Sequence, residues 1–252
     1  MLHKKIPCYV LVFDQVEIIQ KSLAFLTKQS KKLDLIIIEN PSPNTPKIKK
    51  IVDSLGQTGL VKRYYIFNEN ITGNAFGAVL NNELGLVRQS RHIVVTDGDI
   101  VCQNDSWLSE EKAILKRHRD VFACGVSLDL VNLPLETFSS AKDWIPADMD
   151  IFDDFYEAYT GAHLLLFRGK ELASFLDWRS KNKLNFVDGE LHKYCYGELH
   201  KKWARTKTSK AYHLTWDLYA DKKHPYTVMK TSKVFQDTWY HNRDAPYRLT
   251  NY

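Results

Sequence analysis

The first hundred residues alternate short aliphatic runs with apolar residues at helical spacing, and that alternation limits the fold more than any other feature of the chain. Cys8 to Phe13 is a run of β-type residues, after which Val16, Ile19, Leu23 and Leu26 recur at the period of an amphipathic helix ending near Gln29. Leu35 to Ile38 is continuously aliphatic, as in a strand covered on both faces. Pro41, Pro43 and Pro46 interrupt the chain, and a helix is expected from Pro46 to Leu55. A strand from Val61 to Phe67, a helix from Ala75 to Gln89 and a strand from Ile93 to Thr96 follow, and the last of these runs into Asp97. Such a βαβαβαβ order predicts an α/β fold with a mostly parallel central sheet and helices on both faces. Ligands of these sheets bind outside the carboxyl ends of the strands, and the residues there are Asp14, Glu39, Asn68 and Asp97, a polar and acidic set.

The second half is less regular. A strand is expected over Val121 to Leu130, then an acidic, aromatic loop from Pro134 to Asp154 suited to carrying specificity. His163 to Phe167 reads as a strand and Lys170 to Ser180 as a helix. The spacing of Leu191, Tyr194, Cys195, Leu199 and Trp203 suggests another helix after Asp188-Gly189-Glu190, and Ala211 to Leu214 a short strand. The last thirty residues are aromatic and charged, without periodicity. No repeat, low-complexity linker or domain boundary is visible, so residues 1–252 are expected to form a single domain.

Composition enters mainly as exclusion. Hydrophobic residues make up 44% and charged residues 26%, which rules out a disordered chain. The net charge of +5 is modest, and suits a phosphate-bearing substrate or an anionic membrane surface. Cys8, Cys102, Cys124 and Cys195 have neither CxxC nor zinc-finger spacing and read as scattered reduced thiols of a cytoplasmic protein. Met1 to Lys5 leads straight into a strand-like run with no apolar core or cleavage site, so no signal peptide is expected. Apolar stretches such as Leu164 to Phe167 are too short to span a bilayer, which leaves peripheral contact at the inner face as the form of membrane association. Neither GxGxxG nor GxxxxGK occurs, so a dinucleotide fingerprint and an ATP-binding P-loop are both absent, and no nucleic-acid partner is expected.

Two segments carry the chemistry of the first half. In Asp97-Gly98-Asp99, at the end of an aliphatic strand, one carboxylate can reach a ribose hydroxyl while the other binds a hard cation, Mn²⁺ or Mg²⁺. The cation then bridges to a diphosphate and neutralises charge as a nucleotide leaves. The same three residues also suit an ordinary Asp-Gly turn. In the second segment, Gly73 and Gly77 allow close backbone approach to a ligand, while Asn68, Asn70 and Asn74 can donate to and accept from a base or ribose. A polar strand-to-helix turn with an Asn cap is the plainer alternative there.

Taken in order, these segments resemble the family 2 glycosyltransferases and their GT-A relatives. Pro7 to Asp14 followed by Glu17 is similar to the family's opening strand and loop, with Phe13-Asp14 where Tyr-Asn is usual. Asp34 to Ser42 resembles its second strand, with Glu39 at the position of the Asp that contacts the nucleotide base. Asn68 to Ala78, with Asn81-Asn82, resembles its Asn-Gly loop, and Asp97-Gly98-Asp99 falls at its DxD motif. The resemblance is good over residues 6 to 105 and weaker over 155 to 220. It implies a GT-A type nucleotide-diphospho-sugar transferase fold, with residues 1–105 binding the nucleotide and 106–252 the acceptor. The implied donor contacts are Phe13, Asp14, Glu39, Asn68, Asn70, Gly73, Asn74, Asp97 and Gly98. Phe186 to Leu191 is similar to the acidic stretch of inverting members, which makes Asp188 the implied general base, with Val187 replacing the usual Glu and Glu190 as runner-up. Tyr212 to Asp217 resembles a stretch whose His supplies a metal ligand in some members, so His213 joins Asp97 and Asp99 in the implied metal set.

The expected function is therefore transfer of a sugar from a nucleoside-diphosphate sugar, a UDP-sugar first, to a hydroxyl of a glycan or lipid-linked glycan, with metal dependence and inversion. A non-catalytic nucleotide- or glycan-binding relative is the competing reading. A DxD phosphohydrolase is a weaker one, because such enzymes place the motif after the first strand.

Overall fold

The computed structural model describes residues 5–235 and 244–252; residues 1–4, on which part of the N-terminal reading rests, lie outside the described residues. The first half contains β1 (Ile6–Val12), α1 (Val16–Thr27), β2 (Leu33–Glu39), α2 (Thr45–Gln57), β3 (Val61–Phe67), α3 (Asn74–Asn82), α4 (Leu84–Gln89) and β4 (His92–Asp97). The second half contains β5 (Ile100–Cys102), α5 (Trp107–Arg117), β6 (Val121–Leu128), a 3₁₀ turn at Ser139–Trp144, β7 (Asp150–Ile151), β8 (Phe155–Glu157), β9 (Leu165–Arg168) and α6 (Gly169–Lys181). It continues with α7 (Asp188–Lys193), which runs into a π-helical turn at Tyr194–Glu198, then β10 (Lys202–His213), α8 (Trp216–Tyr219), α9 (Pro225–Thr231) and β11 (Tyr247–Asn251).

All eleven strands of the described residues join one sheet in the order β11-β3-β2-β1-β4-β9-β6-β10-β8-β7, with β5 also paired to β10. Strand alternation assigns neighbouring residues to opposite faces. Cys8, Val10 and Val12 of β1 pack with Ile19 and Leu23 of α1 and Ile48 and Val52 of α2, whereas Tyr9 joins Val79, Val87 and Leu172 on the other face. Helices thus cover both faces, as the sequence predicts.

The sheet is mixed, not mostly parallel. β1, β2, β3 and β4 are parallel to their neighbours among themselves, and β10 is parallel to β6. β9 lies antiparallel between β4 and β6, pairing Val95 with Leu165 and His92 with Arg168. Its direction follows from where it starts: the chain enters β9 at the carboxyl end of β4, with no crossover helix to carry it back first. β11, β8, β7 and β5 are antiparallel edge or flap pairings.

Four local expectations also change. The helix expected from Ala75 to Gln89 breaks at Glu83, whose buried carboxylate takes Tyr9 Oη at 2.6 Å, Arg63 at 2.8 Å and the Tyr65 hydroxyl. Trp203 belongs to β10, not to a helix, and its indole N–H donates to Thr160 Oγ1 at 2.7 Å. The short strand at Ala211 is the end of that twelve-residue strand. The loop expected from Pro134 to Asp154 contains the 3₁₀ turn and β7.

Candidate active site

The carboxyl ends of β1 and β4 open into a cleft of about 490 Å³. Its floor is the Asp97-Gly98-Asp99 segment, which three neighbours pin. The Asp97 amide donates to Ala162 O at 2.9 Å, the Gly98 amide to Leu11 O at 2.7 Å, and the Leu214 amide to Asp99 O at 2.8 Å. The central residue must be glycine for a local reason. A Cβ there would stand 2.6 Å from Val12 Cγ1 and 2.9 Å from Leu11 O, so β1 crosses too closely for any side chain.

Asp99 is held by the end of β10. Thr215 Oγ1 donates to Asp99 Oδ2 at 2.7 Å, and His213 Nδ1 lies 3.6 Å from the same oxygen. Asp99 Oδ1 is buried and has no hydrogen-bond partner among the described residues. The His213 ring stacks on Trp216 at 4.8 Å and 4°, and Trp216 in turn faces Trp144 at 6.0 Å. Burial lowers the His213 pKa, so the ring is neutral near pH 7. His163, edge-on to His213 at 5.4 Å, is pushed to about 3 by burial and by His213, and its Nδ1 is also unpartnered.

A second carboxylate group faces this floor. Asp188 begins α7, and its Oδ2 lies 3.2 Å from where a Cβ of Gly161 would stand. Asp188 is open to solvent through the cleft mouth, yet enough protein surrounds it that lost hydration raises its carboxyl to about 6. Burial, then Asp99 and Asp188, raises Asp97 well above the usual carboxylate range, while Lys230 opposes that shift. Lys230 comes from α9 and lies 5.7 Å from the Tyr226 ring and 4.5 Å from that of Phe235. Burial lowers its pKa against the pull of Asp99 and Asp97.

One side of the cleft is lined by Phe13, Asn40, Asn70, Thr72 and Gly73. Asn40 ties β2 to the Asn-Gly loop, donating to Thr72 O at 3.0 Å and accepting from the Ile71 amide at 3.1 Å. Asp14, Thr72 and Leu164, which flank the cleft, are non-glycine residues with left-handed φ of 62°, 53° and 54°. Strain of this kind persists where surrounding bonds over-determine it, as Asn40 and Asn70 do for Thr72.

Of the residues expected from sequence, the cleft brings together Phe13, Asn70, Gly73, Asp97, Gly98, Asp99, Asp188 and His213. It does not bring in Asp14, Glu39, Asn68, Asn74 or Glu190. Glu39 is fully buried on the α2 side, where the Tyr64 hydroxyl donates to it, because its strand position alternates away from the opening. Burial raises its carboxyl to about 7. Asn74 is buried and accepts from the Phe186 amide at 2.8 Å, while Asn68 is exposed. Glu190 points its Oε2 into a buried position without a partner. Asp14 accepts from Gln15 at 2.7 Å and Asn44 at 3.2 Å at the rim. Lys230, His163, Tyr226 and Trp144 line the cleft without any motif to announce them.

No family model matches the chain. Over 249 residues it is 39% identical to "Uncharacterized protein L137" of Acanthamoeba polyphaga mimivirus, covering 97% of this chain and 34% of that protein. It is 38% identical to "Uncharacterized protein L142" of the same virus, covering 98% of this chain and 50% of that protein. The chain therefore spans half the length or less of these curated relatives. Among solved structures, it matches the mannosyltransferase PcManGT from Pyrobaculum calidifontis in complex with GDP-Man and Mn²⁺. That match has a TM-score of 0.53 and 13% identity, covering 84% of this chain and 57% of that one. It also matches GalNAc-T7 with UDP, GalNAc and Mn²⁺, with a TM-score of 0.59 and 10% identity over 83% of this chain and 43% of that one. The chain has the α/β fold of the GT-A glycosyltransferases.

Among the described residues, no group of three or more His, Cys, Asp and Glu side chains is already assembled to hold a metal ion. The donor set nonetheless fits a hard divalent cation. Asp99 Oδ1 is a buried carboxylate oxygen with no other task, Asp97 lies beside it, and the neutral His213 adds nitrogen. Among the described residues no helix is long and apolar enough to cross a membrane.

Proposed function

We propose that the chain is a glycosyltransferase that moves a sugar from a nucleoside-diphosphate sugar to an acceptor hydroxyl, related to the family 2 enzymes and inverting in outcome. The observation that carries this reading is the cleft at the carboxyl ends of β1 and β4. There the Asp97-Gly98-Asp99 floor, the Asn-Gly loop and the Asp188 carboxylate face one another.

In this reading Asn40, Asn70 and the Thr72–Gly73 backbone hold the nucleotide, with Phe13 against the base. A UDP-sugar is the first donor to test. Asp97, Asp99 and His213 would hold Mn²⁺ or Mg²⁺. When bound, such an ion supplies neutralisation of the diphosphate. Lys230 places a further positive charge on the diphosphate side, since its neighbours are Asp97 and Asp99. Asp188, ionised above about pH 6, accepts the proton of the acceptor hydroxyl as that oxygen attacks the anomeric carbon and the bond from that carbon to the diphosphate breaks, releasing the nucleoside diphosphate. The acceptor, from a glycan or a lipid-linked glycan, lies against the half formed by residues 106–252, where Trp144 offers an aromatic face.

The test is a thermal-shift screen of UDP-, GDP-, TDP- and CMP-sugars with and without Mn²⁺, followed by donor hydrolysis. One nucleotide class should raise the melting temperature only with the metal present. Asp99→Asn should remove that shift and turnover while its own circular dichroism matches the wild type. Near-normal turnover by Asp99→Asn in Mn²⁺ would end the metal assignment. Binding without hydrolysis or transfer would favour the non-catalytic reading.

A further inference from the structure

A second cavity, also of about 490 Å³, lies at the opposite end of β4 from the cleft. His92 begins that strand and Asp97 ends it, so the two sites are about 16 Å apart along the strand. The wall of this cavity is cationic. Lys112, Lys116 and Arg119 follow one another at helical spacing along α5 and just past its end, with Ser109 one turn earlier, and Arg91 faces them from the start of β4. All four cations are exposed.

Ordinary structural duties for these charges are already filled. The carbonyls at the end of α5 are capped by Arg168, which donates to His118 O at 2.8 Å, to the Leu115 carbonyl and to Val121 O at 2.6 Å. Arg168 is itself balanced by Glu171 at 3.1 Å. Nearby carboxylates are committed elsewhere: Asp154 to Arg117 and His118, Asp120 to Lys202, and Glu171 also to Lys201. Among the described residues no carboxylate pairs with Arg91, Lys112, Lys116 or Arg119. His92 lies in the same field. Burial first, then Arg91, Lys112 and Arg168, lowers its pKa to about 4, so it stays neutral and contributes a ring nitrogen instead of a further charge. A concave wall lined by these four cations and by Arg168, which Glu171 balances, with no carboxylate among its lining residues, concentrates negative charge from solution.

We propose that this cavity is a second binding site, separate from the cleft, for a phosphate-bearing anion. Arg91, Lys112, Lys116 and Arg119 supply charge-assisted hydrogen bonds to the phosphate oxygens, and Ser109 a neutral one. Inorganic pyrophosphate, and a phospholipid headgroup at a membrane surface, share the chemistry such a wall recognises.

The experiment is run in EDTA, so that metal-dependent diphosphate binding in the cleft does not contribute. Pyrophosphate is titrated by calorimetry and by thermal shift against sodium chloride of matched ionic strength. In parallel, the chain is sedimented with vesicles of phosphatidylcholine alone and of phosphatidylcholine containing phosphatidylglycerol. Two double variants are compared, K112Q/K116Q in the cavity and K47Q/K50Q on the exposed face of α2, which remove the same charge at different places. The expected result is saturable binding weakened about tenfold or more by K112Q/K116Q and little changed by K47Q/K50Q. Pyrophosphate binding without vesicle binding assigns a soluble phosphate ester. Binding confined to vesicles that contain phosphatidylglycerol assigns a lipid headgroup. The proposal is overturned if neither probe binds beyond the chloride control, or if K112Q/K116Q binds as the wild type does. It is equally overturned if the two double variants lose binding equally, since net charge alone would then account for it. None of these outcomes depends on transfer activity, so failure here leaves the glycosyltransferase reading standing.

Discussion

At the scale of single residues, environment divides the carboxylates by task. Asp188 and Glu39 both have raised pKa values, but one opens to the cleft and the other is sealed under α2. For Asp188, the proposed base, the consequence is a pH dependence of transfer. A base must be ionised, so transfer should fall about tenfold per pH unit below about pH 6 and level off above it. Asp188→Asn keeps the shape but cannot take the proton, so turnover should drop on the order of 10²-fold with donor affinity nearly unchanged. Proton NMR of the product then reads the anomeric configuration, and retention would exclude this role. For Glu39 the consequence is stability. Folded Glu39 keeps its proton up to about pH 7, whereas the unfolded chain releases it near 4.5. The folded state binds more protons in that window, so this group's contribution to stability is lost as pH rises through it. Glu39→Gln should therefore gain relative to wild type between pH 5 and pH 8, by up to about 3 kcal/mol, in urea denaturation. The same variant tests whether Glu39 touches the base, because a direct contact would make donor affinity fall as stability rises.

At the scale of elements, what was legible in sequence depended on whether one residue pattern told one story. β1, β2 and β4 are largely aliphatic and buried, and β4 runs straight into Asp97 of the cleft floor, so strand and site were read together there. Glu39 at the end of β2 shows that a strand end alone does not place a residue in the cleft. β10 hid because Lys202, Lys207 and Lys210 interrupt it and its register with β6 shifts between Arg205 and Lys210. That irregularity is held by Glu110, which accepts the amides of Lys207, Thr208 and Ser209 at 3.0, 2.8 and 2.9 Å. No local pattern around residue 207 points to a glutamate on α5. Lys230 and Tyr226 escaped for a similar reason: α9 is seven residues long, and the cleft reaches it only through tertiary packing. The junction of β9 and α6 shows the reverse, a residue whose importance only the packing reveals. A Cβ on Gly169 would stand 2.1 Å from Ser90 O and 2.3 Å from Val87 O, both backbone atoms at the end of α4. Backbone cannot swing aside as a side chain can, so Gly169→Ala should cost about 1–3 kcal/mol, measured as a shift of the urea midpoint at unchanged m-value. An unshifted midpoint would show that α4 can slide, and that its packing on α6 is looser than it looks.

At the scale of the whole molecule, Phe235 and residues 244–252 sit at two different places around the sheet's first half. Phe235 lines the cleft against Phe13, with ring centroids 5.9 Å apart, while residues 244–252 form the outer edge of the sheet beside β3. β11 pairs antiparallel with Arg63 to Phe67, and Tyr247 packs edge-on against Tyr65 and Phe67 at 5.2 and 5.4 Å. Tyr252 lies over Gly56 of α2 and donates to Asp53 Oδ1 at 2.5 Å. Residues 244–252 also reach the Asn-Gly loop that lines the cleft, since the Asn68 amide donates to Pro246 O at 2.9 Å and so anchors the start of that loop. Deleting residues 244–252 therefore does two things at once. It bares the edge of β3, leaving unpaired backbone groups beside aromatic side chains, an arrangement prone to pairing with a second chain. It also frees one end of the loop that lines the cleft. The truncated chain should melt several degrees lower, form larger species by light scattering, and bind the nucleotide sugar more weakly. Tyr252→Phe removes only the hydrogen bond to Asp53, so it should cost about 0.5–1.5 kcal/mol and leave donor affinity alone. The contrast separates the two effects. If truncation lowered the melting temperature but left donor affinity at the wild-type value, the Asn68 anchor would have no part in shaping the cleft, and β11 would serve only as an edge cover.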